Sequence, residues 1–130
     1  MSLFPLTNRK QIPVSVGGVD FVVYEPSALD RCEYFLMGAK MMAAQKDIAT
    51  PTDKSSPEEM GTAYAHSWHI SKLNRTQTAY LIAACLKPGI DDRTVDSLWD
   101  EIQSLPDTLI EPLSKAAFEV AGMNTEQGKD

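Results

Sequence analysis

The chain has 130 residues, 43% of them hydrophobic, and a formal net charge of −6 at pH 7. This length fits one globular domain with a modest core, and the acidic balance argues against a DNA- or RNA-binding surface, which needs clustered Lys and Arg. The sequence contains no run of about 18 apolar residues, so we predict no membrane-spanning segment. The opening MSLFPLTNRK lacks an apolar signal core, so we expect a cytosolic protein.

The first patterned segment is VSVGGVDFVVYEPSALDR, residues 14–31. Two glycines between β-rich runs predict a hairpin with a two-residue turn at Gly17–Gly18, because primed turns need positive φ at both central positions. Pro13 falls at a non-hydrogen-bonded position and marks the outer side of its strand as an edge. Residues 1–10 are predicted to be flexible. The register puts six residues on one apolar face: Ile12, Val14, Val16, Val19, Phe21 and Val23.

A helix is predicted over about 27–45, with Ser27 as N-cap and Asp30 at N3 of a short capping box. The following segment, 46–57, is rich in Pro, Ser, Thr and Asp and is predicted to be a mobile loop. Four methionines flank this loop and are interpreted either as core filling or as adaptable apolar surface: Met37, Met41, Met42 and Met60. The helix's apolar residues form a predicted core stripe: Cys32, Phe35, Leu36, Ala39, Met42 and Ala43.

The rest of the chain is predicted to be helical. Ser56, Pro57 and Glu58–Glu59 start a segment that continues to Leu86, either as one helix or as two with a break near Asn74. A third helix covers 94–103, capped by Thr94 or Asp92, with its apolar face formed by Val95, Leu98, Trp99 and Ile102. The fourth begins near Pro106, with a kink at Pro112, Gly122 at C′ and core residues Leu109, Leu113, Ala116, Ala117 and Val120.

These elements predict a mainly α fold, in which an N-terminal two-stranded β-hairpin is followed by about four helices in a single domain over 11–122. The polar tail, 123–130, is predicted to fray.

The sequence contains residue types that occur in ligand-binding and catalytic sites, but it lacks the neighbouring residues that such sites need. The Gly17–Gly18 pair leads into a second strand and no Lys follows, which excludes a phosphate loop. His66 and His69 form an HxxH pair without the Glu of a helical metal site, so we interpret Tyr64, His66, Trp68 and His69 as a half-buried face with the imidazoles at its rim. We expect no metal, cofactor or catalytic residue.

The cysteines and the acidic residues have similarly plain interpretations. Cys32 and Cys85 are both interpreted as reduced, inert core residues. An acidic cluster surrounds the third helix and is interpreted as a solvated face or an electrostatic docking surface: Asp91, Asp92, Asp96, Asp100 and Glu101.

The order of the parts resembles the tail assembly chaperones of long-tailed, non-contractile bacteriophages. The resemblance covers about residues 10–123. It rests on the hairpin before EPSALDR, the apolar AYLIAACL segment, and DDRTVDSLWDEIQSLPDTLIEPLSKAAFEVAGM. Its best single marker is the bracket of Leu105–Pro106 and Gly122–Met123 around the last helix. Pro112 inside that helix departs from the family pattern.

The resemblance implies a non-enzymatic protein of the host cytoplasm that binds the tape measure protein, keeps it soluble, helps recruit tail tube protein and is absent from the mature virion. The family is often made in two lengths by a −1 frameshift, and Gly128–Lys129 is compatible with a slip sequence in the gene. The alternative is another small phage or bacterial adaptor, such as a head–tail connector. Weak self-association is expected. Candidate contacts are Tyr64 and Trp68 for the client, and Val14, Val22 and Tyr24 for a self-assembly edge.

Overall fold

The computed structural model describes residues 4–45 and 52–123, and within them the protein is mainly helical. Short 3₁₀ turns lie at Leu6–Asn8 and Lys87–Gly89. The main elements are β1 (Gln11–Val16), β2 (Val19–Tyr24), α1 (Ala28–Gln45), α2 (Pro57–Leu86), α3 (Val95–Gln103) and α4 (Asp107–Val120). This confirms the predicted class of fold, a two-stranded hairpin followed by four helices. The predictions for residues 1–3 of the N-terminus, for residues 46–51 of the loop and for the tail from 124 onward lie outside the described residues.

The hairpin has the predicted register, with Val16 opposite Val19 and Ile12 opposite Val23. Gly17 and Gly18 have φ values of 58° and 79°, as a type I′ turn requires. Val16 and Val23 are buried in the core. Val19 is 52% exposed, however, so its predicted place on the packed face is wrong. It lies beside the turn, at the tip of the hairpin, where Val16 is covered but Val19 opposite it is not.

Helix α1 is capped as predicted, because Ser27 Oγ accepts a hydrogen bond from the Asp30 backbone N–H at 3.1 Å. The Asp30 carboxylate has a different role from the one expected in a capping box. It accepts a hydrogen bond from the Tyr80 hydroxyl at 2.9 Å and so ties α1 to α2. Burial and this hydrogen bond both raise the pKa of Tyr80 well above its usual range. Asp30, which was predicted to act in the local cap, therefore makes a long-range contact with α2.

Helix α2 is one unbroken helix of 30 residues, which decides between the two predicted alternatives. Its start is a complete capping box: Ser56 Oγ accepts from the Glu59 backbone N–H, and the Glu59 carboxylate accepts from the Ser56 N–H. The two ends differ in environment. Ala79–Leu86 is buried throughout and supplies the centre of the core, whereas residues 57–65 lie mostly on the surface.

Helices α3 and α4 close the other side of the core. Thr94 caps α3, and Leu98 and Ile102 are buried as predicted. The Trp99 indole N–H donates to the Thr76 carbonyl at 3.0 Å and fixes α3 against α2.

Helix α4 is bracketed by the Leu105–Pro106 and Gly122–Met123 pairs. Pro106 is its N-cap, and Gly122 has a φ of 73°. The Met123 N–H bonds the Phe118 carbonyl and the Gly122 N–H bonds the Glu119 carbonyl, which together form a Schellman motif. The helix continues through Pro112, and the kink expected there stays a prediction.

Candidate binding surfaces

The first candidate surface is a stripe of large apolar side chains on the N-terminal half of α2. Met60, Tyr64 and Trp68 follow one another at intervals of four residues and so lie on one helix face. Tyr64 is 67% exposed and Trp68 is 61% exposed, and their rings meet edge to face at 6.2 Å between centroids. We call these three residues the α2 stripe. The expectation of a half-buried face here is wrong for Tyr64 and Trp68, which are exposed, whereas the exposure of His69 agrees with its expected place at the rim.

The α2 stripe leads into an open cleft between α2 and the start of α4. Trp68 lies at one end, Leu105 and Ile110 supply apolar walls, and the volume of the cleft is about 310 Å³. Arg75 on α2 forms an ion pair with Asp107 on α4 at the rim. Both of these side chains are largely exposed, so the ion pair adds little stability and can be opened by a ligand. Apolar walls with a charged rim suit an amphipathic helix laid along the cleft.

The three residues suggested for a self-assembly edge are separated by the fold. Val14 lies on the core side of β1 and packs against the buried residues. Val22 and Tyr24 lie on the opposite face of β2, with Val22 exposed and Tyr24 half-buried beside Gly89. Pro13 pairs with Val22 across the hairpin and removes a donor from the outer edge of β1. Of the two outer edges, only that of β2 therefore has all its backbone donors.

A second apolar surface, on α1, was predicted to be core. Helix α1 packs on α2 through Asp30, Tyr34 and Gly38, and it has no fully buried residue. The predicted core stripe points away from α2 and is exposed, so that prediction is wrong. Both sides of α1 are apolar, and helical spacing alone does not say which side is covered. The residues left outward are Leu29, Cys32, Phe35, Leu36, Ala39, Met42 and Ala43. We call this set the outer face of α1.

The two cysteines lie in opposite environments. Cys85 is fully buried, as predicted, and burial raises the pKa of its thiol to about 12, with a smaller contribution from the Asp30 carboxylate. Cys32 is exposed on the outer face of α1, so its interpretation as a core residue is wrong. Its thiol is therefore open to reagents in solution, whereas the thiol of Cys85 is shielded.

In the part of the chain that the structure describes, the two histidines differ in burial and the acidic residues around α3 are exposed. His66 is half-buried and its Nε2 atom lacks a hydrogen-bond partner there, whereas His69 is exposed. No group of three or more His, Cys, Asp or Glu side chains in residues 4–45 and 52–123 is close enough to hold a metal ion. The acidic cluster around α3 is solvated as expected, and Arg93 pairs with Glu101 at its edge.

Comparison with known proteins gives no relative, because no family model, no curated protein and no solved structure matches this chain. Among the helices of residues 4–45 and 52–123, none is both long and apolar enough to cross a membrane. The surfaces must therefore be interpreted from their own chemistry. They consist of exposed apolar side chains on a protein whose net charge is −6.

Proposed function

We propose that this chain is a tail assembly chaperone of a long-tailed, non-contractile bacteriophage. It binds the tape measure protein, keeps it soluble and helps recruit tail tube protein while the tail forms, and it is not an enzyme. The observation that carries the proposal is the α2 stripe with its cleft, since large apolar side chains at such exposure need a partner. The proposal places the protein in the bacterial cytoplasm and outside the mature virion.

Two features of the chain support this function. The motifs that carry the resemblance include residues that fix the ends of helices, since Ser27 caps α1, Pro106 caps α4, and Gly122 ends α4 in a left-handed conformation. The client that the family binds is a long helical protein, and a helix docks in a groove through side chains spaced like those of the α2 stripe. The net charge of −6 keeps the complex soluble while apolar surface is covered.

We assign client contact to Tyr64 and Trp68, with Leu105 and Ile110 as the apolar walls of the same site. Aromatic side chains of this size usually dominate a helix-in-groove contact. The edge of β2 at Val22 and Tyr24 is the part of the hairpin suited to weak self-association along the client, because Pro13 weakens the edge of β1.

The test is co-expression with the tape measure protein encoded in the same genome. The native chain should move the tape measure protein into the soluble fraction and co-purify with it. Changing Tyr64 and Trp68 to Ser should abolish that rescue, with an unchanged helical signal, because neither side chain is buried. Val19→Thr is the matched control, since it removes exposed apolar surface at the hairpin tip and should leave rescue intact. A folded native chain that never rescues its client would refute the proposal.

A gene-level observation tests the same proposal. If the chain belongs to this family, a −1 slip sequence is expected in the codons around Gly128–Lys129, followed by an overlapping reading frame. The longer product's extension would recruit the tail tube protein. Mass spectrometry of cells that express the natural gene should then show two products that share this chain.

A further inference from the structure

The outer face of α1 has a regular pattern that the fold leaves unused. Leu29, Cys32, Leu36, Ala39 and Ala43 are spaced alternately by three and four residues, which is the a/d pattern of a helix that pairs with another helix. Leu29 is 83% exposed and Leu36 is 55% exposed. The contacts of α1 with α2 lie on the opposite side of the helix, so nothing in the described part of the chain obstructs a partner there.

We propose that this face binds a second copy of the chain, so that two α1 helices lie antiparallel across a two-fold axis. Such a dimer would form whether or not the chain acts in tail assembly. Two features of the outer face favour this antiparallel dimer: the charges along its border and the sizes of its side chains. In a two-fold arrangement each contact occurs twice, so each favourable contact contributes twice to the stability of the dimer.

The charges favour the antiparallel arrangement. One border of the outer face carries Glu33 and Lys40, which occupy the two e positions of the heptad. When Leu36 of one copy lies level with Ala39 of the other, antiparallel helices bring Glu33 next to Lys40 of the second copy, twice. A parallel, in-register pair places Glu33 beside Ala28 and Lys40 beside Phe35, which leaves both charges without a partner.

The side-chain sizes favour the same arrangement. Leu36 then packs against Ala39 of the second copy, and Cys32 packs against Ala43. Large residues thus meet small ones, and the helix axes can approach closely. On the other border, Phe35 and Met42 of opposite copies come together, and Arg31, whose guanidinium lies 5.8 Å from the centroid of the Phe35 ring, flanks this contact. A parallel pair would instead stack Leu36 on Leu36 and leave a gap between the alanines.

Disulfide trapping tests the geometry. In the proposed pair, Ala43→Cys lies opposite Cys32 of the second copy and should give a covalent dimer under mild oxidation. The two native Cys32 residues are offset by eleven residues, roughly 16 Å at 1.5 Å per residue, so the native chain should not cross-link. Cys85 is buried and cannot contribute. Ala65→Cys, exposed on α2, is the control and should stay monomeric in a denaturing gel. Cross-linking of the native chain through Cys32 would overturn the antiparallel register.

Charge reversal tests the same pair without covalent chemistry. Glu33→Lys or Lys40→Glu alone creates two like-charge pairs and should raise the dimer dissociation constant about tenfold. The double variant should restore native affinity, and an equimolar mixture of the two single variants should form a heterodimer. Equal affinity for all of these variants would overturn the proposal.

Sedimentation equilibrium measures whether the chain is a monomer or a dimer in solution. The native chain should sediment at twice its 14.3 kDa mass at high micromolar concentration, and Leu36→Asp should sediment at 14.3 kDa. The helical signal of Leu36→Asp should not change, because Leu36 is exposed in the single chain. A native chain that stays monomeric would show that no dimer forms, and a Leu36→Asp variant that stays dimeric would place the contact elsewhere. Either result would overturn the inference.

Discussion

Gly38 in α1 is expected to be the most sensitive glycine in the helices. A Cβ atom at this position would lie 2.9 Å from the Nε2 atom of Gln77, which is only 6% exposed. That same Nε2 donates a hydrogen bond to the Tyr34 carbonyl at 2.9 Å. Gly38→Ala must therefore push the amide off its acceptor. Gly61 in α2 is the matched control, because it is also inside a helix and a Cβ there would meet nothing within 4 Å.

The two substitutions share one favourable effect and differ in one cost. Replacing Gly by Ala inside a helix stabilises by about 0.5–1 kcal/mol, so Gly61→Ala should raise the melting temperature by about 2–4 °C. At Gly38 the same gain is opposed by the loss of a buried hydrogen bond, which costs about 1–3 kcal/mol. We expect a net loss of about 1–2 kcal/mol and a melting temperature about 3–8 °C lower.

Urea denaturation followed by circular dichroism, at one protein concentration, measures both free energies of unfolding. Gln77→Ala removes the amide, so in that background Gly38→Ala should become as favourable as Gly61→Ala. The double-mutant cycle should then give a coupling energy of about 1–3 kcal/mol. A Gly38→Ala chain as stable as Gly61→Ala, or a coupling energy near zero, would refute the contact between α1 and Gln77.

Three further predictions concern thiols and helix caps. At a protein concentration low enough for the chain to be monomeric, Cys32 should react with a thiol reagent within seconds and Cys85 only on unfolding, so Cys32→Ser should remove the whole fast phase; fast reaction at Cys85 would contradict its burial. Hydrogen bonds from the Ser56 backbone N–H and side chain lower the pKa of Glu59, so its stabilising effect is complete above about pH 4.3 and disappears as the pH falls through the lowered pKa. Native protein should therefore exceed Glu59→Gln in stability at pH 7 and match it at pH 2, whereas a constant difference would refute the capping box. Gly122→Ala should cost about 1–2 kcal/mol because φ is 73°, whereas Gly122→Asn should cost less, and equal losses would argue against a left-handed cap.

Features set by neighbouring residues were predictable from the sequence. The hairpin register follows from Gly17–Gly18 and the alternation on either side, and the structure confirms each pair. The helix starts at Ser27 and Ser56 follow from side chains that accept hydrogen bonds from the next turn. The end of α4 follows from Gly122. Each of these depends on chemistry within a few residues, which periodicity and cap rules describe well.

Features set by contacts between distant segments were not predictable. The covered side of α1 is chosen by Asp30 and Gly38, which meet Tyr80 and Gln77 about 40 to 50 residues later. Both sides of α1 are apolar, so the hydrophobic pattern did not distinguish them. The cleft beside Trp68 also needs the turn before α4 to lie against α2, and no local motif encodes that contact. Tyr64 is exposed because, within the described ranges, no other element packs over its face of α2.

The positions of the two apolar surfaces connect the two proposals. Gln77 faces α1, and Trp68 precedes it by nine residues, so Trp68 lies roughly 180° around α2, on the side away from α1. A dimer formed through the outer faces of α1 would therefore carry its two α2 stripes on opposite outer sides. Each dimer should then hold two separate client segments, a ratio of one segment per chain. Leu36→Asp should keep that ratio while removing the dimer, whereas Tyr64 and Trp68 changed to Ser should keep the dimer while removing the client. If one variant loses both activities without unfolding, the two surfaces are not independent.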